Sequence, residues 1–332
     1  MTQSATILGC EGLALSQDER AFFAEAAPWG FILFARNIKN AAQVYALTTE
    51  LRAAVGYDAP VLIDQEGGRV QRLRGPIWRE WMAPLDQMAK AGPRAMALRY
   101  RLIAHELRAV GIDVNCAPTA DVARDDTHPF LRNRLYGSDV KSVVQTARAV
   151  ADGLLAGGVL PVVKHIPGHG AAVADSHKDL PRVSVDRATL DATDFAVFRA
   201  LASLPLGMTA HIVYKALGGT LPATMDPDVI ALIRDDIGFQ GALMTDDLSM
   251  GALPGPIWAR AARAKAAGCD LILHCNGELP EMQDVVAQSG ALDGAAKART
   301  DAALALRRSP EPLDIDAIEQ ELSDLLGGEV YV

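Results

Sequence analysis

The chain has 332 residues, half of them hydrophobic, with a net charge of −9 and a pI of about 5.3. The acidic balance argues against a nucleic-acid or anionic-membrane partner, and no window approaches the ~18 apolar residues of a membrane span. The four cysteines show neither CxxC pairing nor metal-ligand spacing, as expected of small buried hydrophobes in a reducing cytoplasm.

The first residues, MTQSATILGCEGLALSQ, carry no basic leader and no sustained apolar stretch, so they do not read as a secretory signal. From there short apolar runs recur eight times: Ala5–Leu8, Gly30–Phe34, Pro60–Ile63, Ile112–Cys116, Leu160–Val163, Leu206–Ala210, Ala242–Met244 and Asp270–Leu273. Each has strand length without strict alternation, the pattern of parallel strands buried on both faces. Helical spacing lies between them. Ser16 with Glu19 forms a capping-box pattern ahead of the first helix, and Met96, Ile103 and Leu107 mark the inner face of another over 95–110. Gly111, Gly157-Gly158, Gly238 and Gly268 stand where a helix should end in a left-handed cap.

Eight βα units predict a single (β/α)8 barrel spanning 1–332, with helices after the eighth strand closing it. A doubly wound sheet is the rival, but no GxGxxG follows the first strand. In such barrels the chemistry sits at the C-terminal ends of the strands. Those ends carry Asp64 and Glu66, Asp121, Lys164-His165, His211, Asp246-Asp247 and His274, whereas the opposite ends carry mostly Gly, Pro and Ala.

The stretch after the fifth run, KHIPGHGAAVADSH, is the densest in titratable groups. Imidazole exchanges a proton near neutral pH, so three histidines here point to proton transfer. A metal site is disfavoured, because Pro167-Gly168 forbids the helix that would align His165 with His169. Asp175 and His177, two residues apart, could form a carboxylate–imidazole dyad, against a reading as two surface groups that never meet. Gly168 and Gly170 suggest a segment that bends over a ligand. Asp246 ends a buried strand, where a carboxylate is costly unless it faces a polar cavity; Asp247 could instead cap the following helix. Asp64 and Glu66 could bind sugar hydroxyls beside Arg69, Arg72 and Arg74, not all of which need do more than face solvent.

Together, GFILFARNI (30–38), IDQEGGRVQR (63–72), KHIPGHGAAVADSH (164–177), MTAHIVY (208–214) and MTDDLSM (244–250) resemble the family 3 glycoside hydrolases, in particular their single-domain bacterial β-N-acetylglucosaminidases. The resemblance implies a (β/α)8 barrel and a retaining mechanism with Asp246 as nucleophile, His177 as acid/base and Asp175 as its partner. It places sugar contacts on Asp64, Arg72, Lys164 and His165, and on Arg134 in NRLYG, where Leu135-Tyr136 departs from the commoner x-Phe-Gly. The spacer 171–174 is also less polar than the family pattern. The implied task is hydrolysis of N-acetylglucosaminyl-1,6-anhydro-N-acetylmuramic acid muropeptides in cytoplasmic peptidoglycan recycling, by a monomer without cofactor or metal; a chitobiose-like sugar would suit the same site. Phosphate as acceptor, or a silent muropeptide-binding barrel, are the alternatives. Whether Trp78 and Trp81 line the pocket or plug the rim stays open.

Overall fold

Burial of both faces of eight short strands leaves closure into a ring as the way to satisfy every strand edge. The computed structural model, which describes residues 2–172 and 180–331, has this arrangement. The strands are β1 (Ser4–Leu8), β2 (Pro28–Leu33), β3 (Val61–Ile63), β4 (Val114–Asn115), β5 (Leu160–Ile166), β6 (Leu206–Thr209), β7 (Ala242–Met244) and β8 (Ile272–His274). Each pairs in parallel with its chain neighbours, and β1 pairs with β8. A single bridge, Met244 to Leu271, joins the remaining edges of β7 and β8. Among the described residues no helix is long and apolar enough to cross a membrane.

Side-chain alternation divides the apolar residues into two cores. Ile7, Leu62, Val162, Met208, Met244 and Leu273 fill the barrel, whereas Leu8, Val61, Ile63, Val163, Leu243 and Ile272 pack outward on the helices. The helices begin and end where local chemistry predicts. Ser16 and Glu19 form the reciprocal capping box, and Gly111, Gly158, Gly238 and Gly268 all have positive φ. The segment Pro84–Ala109 is two helical stretches that meet at a kink at Gly92 (φ +66°, ψ −165°), and the helix expected over 95–110 is the second of them, opening with Pro93. β4 is shorter than the apolar run that predicted it. β5 runs on to Ile166, so Lys164 and His165 belong to the strand itself and not to the loop after it.

The opposite ends of the strands hold more than Gly, Pro and Ala. Asp113 and Asp270, each 2% exposed, sit there among arginines. Asp270 receives Arg299 at 2.6 and 3.0 Å, Arg234 at 2.6 Å and the Leu243 amide at 2.9 Å. Asp113 bonds Arg307 at 2.9 Å and the Val61 amide at 2.8 Å. These carboxylates tie strands to helices on the face away from the pocket, where a barrel is free to spend residues on stability. Asp270→Ala would leave two partly buried guanidinium groups uncompensated. Chemical denaturation should show a loss of about 3 kcal/mol, with the KM of the folded variant unchanged.

Candidate active site

The C-terminal end of the barrel opens into a cavity of about 230 Å³ lined by Asp64, Arg72, Arg134, Lys164, His165 and Asp246, with Phe34, Met208, Met250 and Cys275 among its apolar walls. This is below the ~300–1,000 Å³ of pockets for drug-sized ligands. Asp64 continues β3. The segment after it turns back as a hairpin, Gln65–Gly67 against Val70–Gln71. Gln65 staples that hairpin: its Oε1 accepts from the amides of Arg72 and Leu73, and its Nε2 donates to the Leu73 carbonyl. Arg99 and Tyr100, buried on the second helical stretch of Pro84–Ala109, both donate to the Glu66 carbonyl. Arg99 comes so close that a Cβ on Gly67 (φ +101°) would lie 1.6 Å from its Nη2. The first glycine of EGG is therefore required by contact as well as by backbone conformation.

Lys164, 2% exposed, is the centre of the charge pattern. Its Nζ lies 2.9 Å from Asp64 Oδ1 and 2.6 Å from Glu66 Oε1. Arg72 Nη2 bonds the other oxygen of Asp64 at 3.0 Å, and Arg134 grips Glu66 with two parallel bonds of 2.8 Å. Burial alone would raise both carboxyl pKa values. For Asp64, Lys164 and Arg72 outweigh it and hold the group well below the usual range; for Glu66, Arg134 and Lys164 bring it down to about 2. Glu66 is itself 1% exposed and does not line the cavity. It braces Lys164 and Arg134 from beneath and does not meet the ligand as Asp64 can.

A register shift between Lys164 and Ile166 breaks the alternation of β5, and both Lys164 and His165 line the cavity. His165 Nδ1 donates to Asp121 Oδ2 at 2.8 Å, which fixes its tautomer. Asp121 Oδ1 also accepts the His169 amide at 2.6 Å. Burial pushes Asp121 upward, but the bond and charge of His165 bring its pKa below the ordinary value. The His165 and His169 rings meet edge to face, 5.3 Å apart. Gly168 and Gly170, expected as bending points, serve close packing. A Cβ on Gly170 would lie 1.9 Å from the Val122 carbonyl oxygen, and the carbonyls of Gly168 and Gly170 accept from Tyr214 and Thr127.

Asp246 follows β7 and reaches the cavity. Burial raises its pKa, yet the nearby His211, His165 and Lys164, with the Asp247 amide, bring it below the ordinary value. Among the described residues that amide, 2.8 Å from Oδ1, is its one hydrogen-bond donor, and no side chain bonds either oxygen. An ionised carboxylate held this loosely can approach an electrophile. Asp247 caps no helix, since the next one begins only at Ile257; its carboxylate instead holds the turn after β7, accepting from Ser249 and the Cys275 amide. Of the three arginines, Arg69 and Arg72 line the cavity, whereas Arg74 pairs with Glu80 on the exterior. Neither Trp78 nor Trp81 lines it. Trp81 is buried against Tyr331, and Trp78 packs on the outer core. His274, at the end of β8, is fully buried and also takes no part in the lining. Asp175 and His177 lie outside the described residues.

Glu66 ionises near pH 2 in the folded chain against an ordinary 4.5, so its share of stability is complete above about pH 4.5 and disappears as pH falls toward 2. Denaturation curves across that window should steepen for the unsubstituted chain. Glu66→Gln should flatten the dependence and lower stability at pH 7, where Lys164 and Arg134 lose their shared anion.

The sequence matches the glycosyl hydrolase family 3 N-terminal domain over residues 6–305. A β-hexosaminidase of Alkalilimnicola ehrlichii is 38% identical over 280 residues, 81% of this chain and 80% of the relative. NagZ of Neisseria gonorrhoeae superposes with a TM-score of 0.84 at 28% identity, covering 100% of this chain and 99% of that one; it has also been solved with N-trifluoroacetyl-D-glucosamine. A family 3 β-N-acetylglucosaminidase of Paenibacillus sp. FPU-7 gives 0.85 at 29% identity, over 97% of this chain and 66% of that longer protein. Matched by that family model along nearly its whole length, and by a relative 38% identical over most of it, the chain belongs to family 3 of the glycoside hydrolases.

Proposed function

We propose that the chain is a retaining exo-β-N-acetylglucosaminidase acting on N-acetylglucosaminyl-1,6-anhydro-N-acetylmuramic acid fragments, as a monomer, in cytoplasmic peptidoglycan recycling. The observation that carries this reading is Asp246, its pKa held below the ordinary value and its oxygens bonded by no side chain among the described residues, sharing one cavity with Asp64, Arg72, Lys164, His165 and Arg134. The β-hexosaminidase names of its relatives support the sugar class. The phosphorylase and silent-barrel alternatives draw no such support.

In this mechanism Asp64 and the cations around it hold the hydroxyls of one sugar, with C1 presented to Asp246. The carboxylate attacks C1 while His177, paired with Asp175, protonates the departing oxygen. Water activated by the same imidazole then breaks the glycosyl ester. A carboxylic acid is the usual proton donor in retaining enzymes. An imidazole does the same work without adding another anion beside Asp64, Glu66 and Asp246.

Incubation with a 2-acetamido-2-deoxy-5-fluoro-glucosyl fluoride, followed by peptide mapping, should place the label on Asp246; label on another residue removes it from the role. His177→Ala should cost ~10²–10⁴-fold on substrates with poor leaving groups and much less on activated aryl glycosides. Equal, small losses on both would contradict the proton-donor assignment. Turnover of the 4-nitrophenyl N-acetyl-β-glucosaminide should far exceed that of the plain β-glucoside, and the anhydro-disaccharide should release N-acetylglucosamine without added phosphate. A preference for the plain glucoside, or a requirement for phosphate, would overturn the substrate reading.

A further inference from the structure

We propose that His211, which follows β6, is a positioning residue for Asp246, acting through the backbone of Asp247. Its side chain is completely buried, with Nε2 3.0 Å from the Asp247 carbonyl oxygen and Nδ1 2.7 Å from Thr224 Oγ1. A carbonyl can only accept, so Nε2 carries the proton. In a neutral ring Nδ1 must then accept, and the Thr224 hydroxyl is the donor within reach. Thr224 Oγ1 in turn lies 2.8 Å from Thr209 Oγ1, which completes a chain running Thr209 to Thr224 to His211 to Asp247. The Ala210 carbonyl, a competing acceptor for the Thr224 proton, is farther away at 3.1 Å. Burial depresses the His211 pKa, in keeping with a neutral ring.

The chain ends on the residue that orients the nucleophile. Asp247 donates the hydrogen bond of 2.8 Å that Asp246 receives. Its own carboxylate is held by the amides of Ser249 and Cys275 at 3.0 and 3.1 Å. Its carbonyl is held by His211. With Asp247 fixed at the carbonyl and the side chain, its N–H has one direction, and Asp246 Oδ1 takes the position that direction dictates. A neutral imidazole suits this task, because an imidazolium beside the carboxylate would compete with the sugar for it. Misplacing a reacting group by about 1 Å can cost ~10²-fold, so the effect belongs to the chemical steps more than to ground-state sugar binding.

The proposal rests on Asp246 being the nucleophile of a β-N-acetylglucosaminidase, and the test separates the two. The substrate is 4-nitrophenyl N-acetyl-β-glucosaminide, with product N-acetylglucosamine as competitive inhibitor and the 5-fluoro N-acetylglucosaminyl fluoride as probe of the glycosylation step. His211→Leu should lower kcat and the rate of inactivation by the 5-fluoro donor by ~10–100-fold, while the inhibition constant for N-acetylglucosamine stays within about threefold. His211→Gln, which can return an amide N–H toward the Asp247 carbonyl, should recover about tenfold of that loss. Thr224→Val, which keeps the imidazole and removes the donor to Nδ1, should lower kcat in the same direction by a smaller factor, and it carries the test if His211→Leu does not fold. A His211→Leu enzyme with undiminished kcat overturns the proposal. So does an inhibition constant that weakens in step with kcat, a Gln variant no better than Leu, or a Thr224→Val enzyme with wild-type kcat. Lack of turnover by the unsubstituted chain, or label away from Asp246, would remove the underlying reading and the proposal with it.

Discussion

The buried ammonium of Lys164, shared between Asp64 and Glu66, is the contact on which the rest of the pocket depends. A lone cation this deep would lose its charge or be driven outward, and two neighbouring carboxylates without it would repel each other. Arg72 and Arg134 complete the arrangement, one on each acid. Each charge is in place because its partners are, which makes the pocket floor rigid before any sugar arrives. Asp246 stands apart. The charge of Lys164 and the Asp247 amide favour its ionised form, and among the described residues no side chain bonds its oxygens.

The two ends of the barrel use the same chemistry for different purposes. At the far end Asp113 and Asp270 hold arginines from distant helices, and every oxygen they present serves closure of the ring. At the pocket end the ion pairs are arranged around a space. Asp121 and His211 support that space from behind, and neither needs to touch a ligand to matter. This division lets the pocket hold a dense set of charges while the strand pairs below it carry stability.

Much of this was legible in the sequence because it is local. Buried parallel strands announce themselves as short apolar runs, the capping box at Ser16 and Glu19 needs only four residues, and left-handed caps need only a glycine. The motif resemblance brought the cavity-lining residues together by position, and Asp64, Arg72, Arg134, Lys164, His165 and Asp246 do line one cavity. What could not be read was which charge faces which. Glu66 turns beneath the pocket while Asp64 faces it, an outcome of a hairpin stapled by Gln65 and clamped by Arg99. The end of β5 was misplaced because its polar residues, Lys164 and His165, look like loop and are satisfied as strand only by partners on β3 and beyond β4. Gly168 and Gly170 signalled bending in sequence, yet at each another group occupies the space of a Cβ, Asp194 at the first and Val122 at the second. The roles of Asp113 and Asp270 depend on arginines far along the chain, which no local pattern reveals.

The central claim is that Asp246 forms a covalent glycosyl ester within this charge-braced pocket, and the stereochemistry of the first product tests it most directly. Proton NMR in the opening minutes of hydrolysis of a β-linked N-acetylglucosaminide should show the β-anomer of free N-acetylglucosamine accumulating first, with the α-anomer appearing later at the rate of spontaneous mutarotation. Initial release of the α-anomer would mean a single displacement by water, with no ester on Asp246, and would contradict the account.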